Sequence, residues 1–173
     1  SMKKKILVVG PCLTQSGYGY QARFALKALR SREDLFEVYI DPINWGKTGW
    51  IWEDTEFRRW MDSRIAETQV LQQQKHLHFD MTLQVTIPNE WKAVAPVNVG
   101  YTAGIETTKV SPQWLPKGNE MDKIVVVSNH AKDTYQNTIA TATNKETGEQ
   151  FPYRLETPVT AVNYAVESHD PLP

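Results

Sequence analysis

Two short apolar runs in the middle of the chain, 97–102 and 123–127, each stop at residues whose side chains can do chemistry. The polar groups that follow the runs are, in chain order, Glu106, Thr107, Thr108, Ser128, Asn129 and His130. A hydrophobic core does not require such groups, whereas the carboxyl ends of parallel strands are where open α/β sheets bind ligands. We therefore predict that residues 97–132 form one wall of a ligand crevice. Glu106 is its candidate catalytic group, as a general base or by orienting a hydroxyl. The alternative for any single glutamate is a surface or helix-capping carboxylate.

A glycine-containing turn near the amino terminus predicts an anion site. Gly17, Gly19 and Ala22 formally match the G-x-G-x-x-A pattern of dinucleotide-binding folds. In those folds the glycines follow the first strand at once, but here residues 10–16 intervene. The more general expectation is a helix start whose backbone N–H groups face a phosphate, with Ser16 and Tyr18 beside the glycines. The alternative is a capped turn without a ligand.

A second loop is rich in tryptophan, with Trp45, Trp50 and Trp52 in close succession. Indole faces bind the C–H surfaces of sugars or the faces of bases, and the indole N–H still finds a partner. The alternative is a satellite core packed under the following helix. Another strand end carries Asn89 and Glu90, which could bind a substrate hydroxyl or stand at the surface.

Composition narrows the class of protein. The chain has 173 residues, of which 40% are hydrophobic and 23% charged, which is typical of a soluble globular domain. The formal net charge of -1 gives no support to a nucleic-acid-binding surface. A single cysteine, Cys12, excludes an internal disulfide and a cysteine-based zinc site, and the histidines show no metal spacing. We expect no bound metal, no membrane span and a cytoplasmic location.

Hydrophobic periodicity predicts alternating strands and helices, hence a Rossmann-like, doubly wound, mainly parallel α/β sheet flanked by helices. The predicted strands are 5–9, 36–40, 79–87, 97–102, 123–127 and 158–162. The predicted helices are 17–30, 53–76, one that begins at Ser111–Pro112, and one capped by Ser128 that runs to about Ile139. Residues 141–157 predict a hairpin that turns at Thr147–Gly148. Asp41 ends the second strand, where an acid would bind a cofactor ribose.

Several segments share the order and spacing of one enzyme class. They are Lys5–Gly10 with the turn 16–19, Gly100-Tyr101-Thr102 with Glu106, the segment 114–119, Asp122, Ile124–Ser128, and 158–166. Together they resemble the N-terminal Rossmann-like domain of a GT-B glycosyltransferase, of the group-1 kind that includes sucrose- and glycogen-synthase relatives. The chain has Tyr164-Ala165 where that family often has a glycine.

The resemblance implies transfer of a sugar from a nucleotide-sugar donor to an unknown acceptor (a glycan, a small molecule or, less in keeping with the charge, a nucleic acid). It implies no cofactor, because the nucleotide-sugar is a substrate, and no catalytic metal. Carried over by position, Ser16, Gly17, Tyr18 and Gly19 approach the donor diphosphate, and Glu106 lies near the reacting sugar. Trp45, Trp50, Asn89, Glu90 and Tyr101 line the acceptor side.

The same resemblance divides the chain into an acceptor-side domain, 1–166, and the start of an interdomain linker, 167–173. The donor-binding C-terminal domain is absent from this sequence, so we expect the 173 residues alone to be inactive. Two other functions stay open. One is an NAD(P)- or nucleotide-binding oxidoreductase module, which depends on the glycine match and Asp41. The other is a non-catalytic carbohydrate-binding domain built on the tryptophan loop.

Overall fold

A computed structural model of the chain describes residues 2–43, 49–51, 53–74, 77–103 and 110–163. Its strands, in chain order, are β1 (Lys4–Gly10), β2 (Phe36–Pro42), β3 (Met81–Val85), β4 (Val97–Tyr101), β5 (Lys123–Val126), β6 (Ile139–Thr143), β7 (Gln150–Arg154) and β8 (Val159–Ala161). Six of them form one sheet in the order β2-β1-β3-β4-β5-β8, and every neighbouring pair is parallel. β6 and β7 form a separate antiparallel hairpin.

Helices cover both faces of the sheet. They are α1 (Gly17–Arg30), α2 (Glu56–Gln72), α3 (Trp114–Asn119) and α4 (Asn129–Asn137), with a short 3-10 helix at Pro88–Glu90. Ile124 and Val126 belong to the core that α3 and α4 complete, whereas Val125 between them packs against the core of α1 and α2. Since side chains alternate across a strand, the two cores lie on opposite faces. The predicted doubly wound α/β fold is confirmed. Within the described ranges no helix is both long and apolar enough to cross a membrane.

The first helix forms where its sequence places it. Ala22, Ala25 and Leu26 share one face, and all three are buried against the sheet. Gly10 at the end of β1 allows this close packing, because a Cβ there would stand 3.0 Å from the Val85 carbonyl oxygen and 3.4 Å from Cβ of Ala22. The helix spans Gly17–Arg30, as predicted.

α2 protects the outer edge of β2. The backbone N–H of Ile40 donates to Oγ1 of Thr68 at 2.9 Å, and Arg64 donates to the Val38 carbonyl oxygen at 3.4 Å. These side chains satisfy backbone groups that an edge strand would otherwise expose to pairing with other chains. The helix begins later than predicted, at Glu56, because the hydroxyl of Thr55 caps it. His76, at the predicted end, lies outside the described residues.

The link between β3 and β4 contains the short 3-10 helix instead of an α-helix, and buried side-chain amides hold it in place. The side chain of Gln84 accepts from Lys92 N at 2.8 Å and donates to the Lys92 carbonyl at 2.6 Å. Oδ1 of Asn98 accepts from Thr82 Oγ1 at 2.8 Å and from the backbone N–H of Val94 and Ala95. The carboxyl end of β3 therefore leads directly into a fixed loop.

Two further helix boundaries differ from the prediction. Ser111 does not cap α3: its carbonyl accepts from Trp114 N in a preceding turn, and the helix begins at Trp114 after Gln113. α4 ends at Asn137 rather than at Ile139, which is the first residue of β6. The β-branched segment after α4 favours the strand. The predicted hairpin is confirmed, with Gly148 in the left-handed region at φ 73°.

Candidate functional site

The candidate site lies at the carboxyl ends of β1, β3 and β4. The chain passes from β1 to β2 on one side of β1 and then returns to place β3 on the other side, so the order in which strands are added reverses between β1 and β3. Open α/β sheets bind ligands in the crevice at such a switch point. Three segments meet there by topology: the loop 11–16 with the start of α1, the 3-10 helix Pro88–Glu90, and Thr102 after β4.

Ser16 serves the helix. Its backbone is extended, at φ -139° and ψ 165°, and its hydroxyl accepts from Gly19 N at 3.0 Å, as an N-cap does. Oγ1 of Thr14 lies 2.8 Å from the Ser16 hydroxyl and donates to the Pro11 carbonyl at 2.9 Å. Both hydroxyls are buried. This chain of contacts fixes the direction from which α1 starts.

The two glycines of the turn differ in what they permit. A Cβ on Gly19 would stand 2.2 Å from the Thr14 carbonyl oxygen, so only glycine fits there. Gly17 is exposed, and nothing lies within 4 Å of the position of a Cβ. It is the first residue of a 14-residue helix that has no acidic side chain in its first turn. The positive end of the α1 dipole therefore opens to solvent at Gly17 without a protein carboxylate in that turn.

Tyr18 connects the start of α1 to the end of β4. Its hydroxyl lies 3.0 Å from Oγ1 of Thr102 and also bonds to the backbone of Ala103. Burial raises the pKa of the Tyr18 hydroxyl, the two hydrogen bonds lower it, and the nearby carboxylate of Glu90 raises it. The hydroxyl predicted to approach a donor diphosphate is thus bonded within the domain.

Asn89 and Glu90 are exposed on the 3-10 helix that follows β3. The Glu90 carboxylate contributes to raising the pKa of the Tyr18 hydroxyl, so it lies within electrostatic range of the start of α1. A carboxylate and an amide at this edge can each bind a sugar hydroxyl.

Trp50 lies beside the same turn. It forms an isolated bridge with Thr14, supported by Gln15 N to the Gly49 carbonyl at 2.8 Å and Ile51 N to the Leu13 carbonyl at 2.9 Å. The side chain is 40% exposed, so an aromatic surface stands open next to the start of α1. Trp45, Trp52 and Glu106, with Thr107 and Thr108, lie outside the described residues.

Tyr101 differs from the other predicted acceptor residues. It is 4% exposed and packs in the core with α1. Alternation along β4 sends Asn98 and Gly100 to the opposite face from Tyr101, so the tyrosine forms part of the floor beneath the crevice.

The other strand-end residues have separate positions. The hydroxyl of Ser128 accepts from Ala131 N at 3.0 Å and caps α4, and Asn129 and His130 are exposed in its first turn. They follow β5, which is separated from β1 by the two strands β3 and β4. Among the described residues no group of three or more His, Cys, Asp or Glu side chains could hold a metal ion.

Sequence reasoning missed two residues of α1: Arg23, which holds the turn, and the buried Gln21. Arg23 donates from Nη1 to the carbonyl oxygens of Cys12 at 2.9 Å and Thr14 at 2.7 Å, and its guanidinium lies 5.0 Å from the Tyr20 ring centroid. Gln21 is 1% exposed, and its Nε2 has no hydrogen-bond partner in the described part of the chain. Arg23 could have been identified from the sequence, because an arginine in the second turn of a helix can reach back to the loop that precedes the helix.

Searches against family models, curated proteins and solved structures give no significant match to this chain. The geometry at the switch point and the sequence pattern are therefore the basis on which a function is proposed.

Proposed function

We propose that this chain is the acceptor-side domain of a GT-B glycosyltransferase, which transfers a sugar from a nucleotide-sugar to an acceptor. The observation that carries the proposal is the open start of α1 at the switch point, at Gly17. A helix N-terminus without an acidic side chain in its first turn, in this position, suits the diphosphate of an activated sugar. The fold by itself does not specify glycosyl transfer.

Three neighbouring groups support the proposal. Trp50 offers an exposed aromatic face of the kind that contacts sugar rings. Asn89 and Glu90 are exposed near Tyr18. In the proposed enzyme, the α1 start stabilises negative charge on the departing diphosphate, and Trp50 with Asn89 and Glu90 holds the acceptor. Glu106 remains the proposed catalytic carboxylate on the basis of the sequence resemblance.

The anion site is tested by titrating the ¹⁵N-labelled chain with inorganic pyrophosphate and following the backbone amides. We expect the amide of Gly17, at the open helix start, to shift with saturation. Gly17→Glu places a carboxylate at the helix start, where open space tolerates it, and should abolish the shift. Ala28→Glu adds the same charge at an exposed position near the other end of α1 and should leave it intact. A wild-type Gly17 amide that does not move would end the proposal.

The assignment to this enzyme class is tested by asking whether the gene, or a partner gene, encodes a second domain. The proposal requires a second Rossmann-like domain, encoded after residue 173 or supplied by a partner chain, to hold the nucleotide. The protein with both domains should hydrolyse or transfer sugar from at least one nucleotide-sugar, and Glu106→Gln should reduce that rate. A stop codon at this point with no partner domain would contradict the assignment.

One observation favours a second candidate, a nucleotide-cofactor oxidoreductase module. Asp41 is the last residue but one of β2 and is in register with Val9, and Ile43 N donates to the Gly10 carbonyl at 3.0 Å, which keeps this strand end beside β1. An acid at this place can bind a ribose. NAD(P)H binding followed by cofactor fluorescence, lost in Asp41→Asn, would favour this module over the transferase; an absence of binding would remove it.

A further inference from the structure

The hairpin β6–β7 has two outer edges, and the structure treats them differently. Asn144 N donates to the Glu149 carbonyl at 2.8 Å, so the backbone groups of residue 144 face the partner strand. Because this orientation alternates along an antiparallel pair, Ala142 and Ala140 also face β7. Ile139, Thr141 and Thr143 therefore direct their backbone N–H and C=O groups away from it.

The outer edge of β7 is closed. Pro152 stands opposite Thr141, so its nitrogen, which has no hydrogen to donate, occupies that edge. The Arg154 carbonyl accepts from the amide of Asn119 at 3.1 Å. A proline and an internal hydrogen bond are two of the ways in which proteins prevent a strand edge from pairing.

The outer edge of β6 is open. The outward backbone groups of Ile139, Thr141 and Thr143 make no hydrogen bond within the described part of the chain. The three residues are exposed, Ile139 by 56%. The strand sequence Ile-Ala-Thr-Ala-Thr has no charge, no proline and no glycine, so the strand itself carries no residue of the kinds that protect an edge from pairing.

We propose that this edge pairs with the same edge of a second copy of the chain, in an antiparallel arrangement centred on Thr141. The proposal is independent of the glycosyltransferase assignment. In that register Thr141 meets its own copy, Ile139 meets Thr143, and Ala140 meets Ala142. The outward residues form the hydrogen-bonded pairs, six backbone bonds in all by the alternation rule.

Self-complementarity favours a second copy over a different partner. A two-fold axis brings Thr opposite Thr, a favourable cross-strand pair, and places no like charges directly opposite each other within the strand. The closely approaching positions carry alanine, which leaves room for the second strand. Pairing also converts a two-stranded ribbon, marginal on its own, into a four-stranded sheet.

The experiment uses the full chain in sedimentation equilibrium over a concentration series, with hydrogen exchange on the same samples. We expect a reversible dimer in which the Ile139, Thr141 and Thr143 amides become protected as concentration rises. Thr141→Pro removes an outward N–H and no bond of the hairpin, and Thr141→Lys places two lysines opposite each other. Both should be monomeric, whereas Thr141→Val should still dimerise.

Circular dichroism and thermal melting show whether each variant is folded, and Thr141→Lys keeps the test valid if the proline variant unfolds. A wild-type chain that stays monomeric at every concentration overturns the proposal. So does a dimer that persists in folded Thr141→Lys, or one whose β6 amides exchange freely, because its interface then lies elsewhere.

Discussion

The indole of Trp91 lies against the backbone of Gly100 so closely that a Cβ on the glycine would stand 2.6 Å from Cε2 and Cζ2 of the ring. Trp91 follows the 3-10 helix that carries Asn89 and Glu90, and it is fully buried. Gly100 lies in β4, next to Gln84 of β3 in the sheet. This contact therefore fixes the loop of the candidate site to the centre of the sheet.

Gly100→Ala should destabilise the domain. The rigid indole cannot give way as a flexible side chain could, so we expect the free energy of unfolding to fall by about 1–3 kcal/mol. Urea unfolding followed by tryptophan fluorescence measures the change. Gly17→Ala is the matched control, because a Cβ there meets nothing, and it should leave stability unchanged or slightly raised. Equal effects of the two substitutions would show that the contact is not tight.

The sequence predicted the order of elements because local signals determine it. Ser16, the apolar spacing of α1 and Arg30 at its end set both boundaries of that helix, which the structure reproduces. The alternation of strand and helix patterns along the sequence was sufficient to predict the doubly wound fold. The order of strands within the sheet depends on long-range pairing, which no local pattern contains.

The candidate site was predicted less completely, for a physical reason. A strand pattern does not say which face is more deeply buried, so the burial of Tyr101 in the core with α1 was not predicted. Trp91 was known only as a neighbour of Glu90, although glycine inside a strand, here Gly100, is a sign of close approach. The contact of Tyr18 with Thr102 joins residues 84 positions apart.

Removal of the Tyr18 hydroxyl should loosen the connection between α1 and β4. Tyr18→Phe and Thr102→Val each remove one partner of the 3.0 Å hydrogen bond. We expect each to lower the free energy of unfolding by about 1 kcal/mol, and the double variant to cost less than the sum. A double-mutant cycle by urea unfolding measures this coupling. Strictly additive costs would mean that the bond contributes nothing to stability.

Thr68 should be more important than its place on a long polar helix suggests. Thr68→Val keeps the shape but leaves the Ile40 N–H without its acceptor, so we expect a loss of about 1–3 kcal/mol. Thr68→Ser retains the hydroxyl and should restore most of that loss. Hydrogen exchange of the Ile40 amide gives a direct check, since only the valine variant should speed it. If serine and valine behave alike, the hydroxyl does not protect the edge of β2.

Cys12 should be unreactive in the folded domain. Burial raises the pKa of its thiol from 9.0 to about 12, although Arg23 opposes the shift. Thiolate is the reactive form of cysteine. When labelling is carried out at a pH about one unit below 9.0, an alkylating reagent should therefore modify Cys12 only after the chain is unfolded. Ala66→Cys provides an exposed thiol on α2 as the control and should react at once, one group per chain. Fast labelling of native wild type would contradict the burial.

The same thiol should make stability depend on alkaline pH. Between pH 9.0 and about 12 the unfolded chain loses the Cys12 proton while the folded chain keeps it. The unfolded state then binds fewer protons, so the free energy of unfolding falls as the pH rises. Cys12→Ala removes this contribution. The substitution also has a packing cost, but that cost is the same at every pH and does not alter the slope of the unfolding free energy against pH. We therefore expect a shallower decline for Cys12→Ala above pH 9.0 in urea unfolding; parallel slopes would show that the thiol ionises equally in both states.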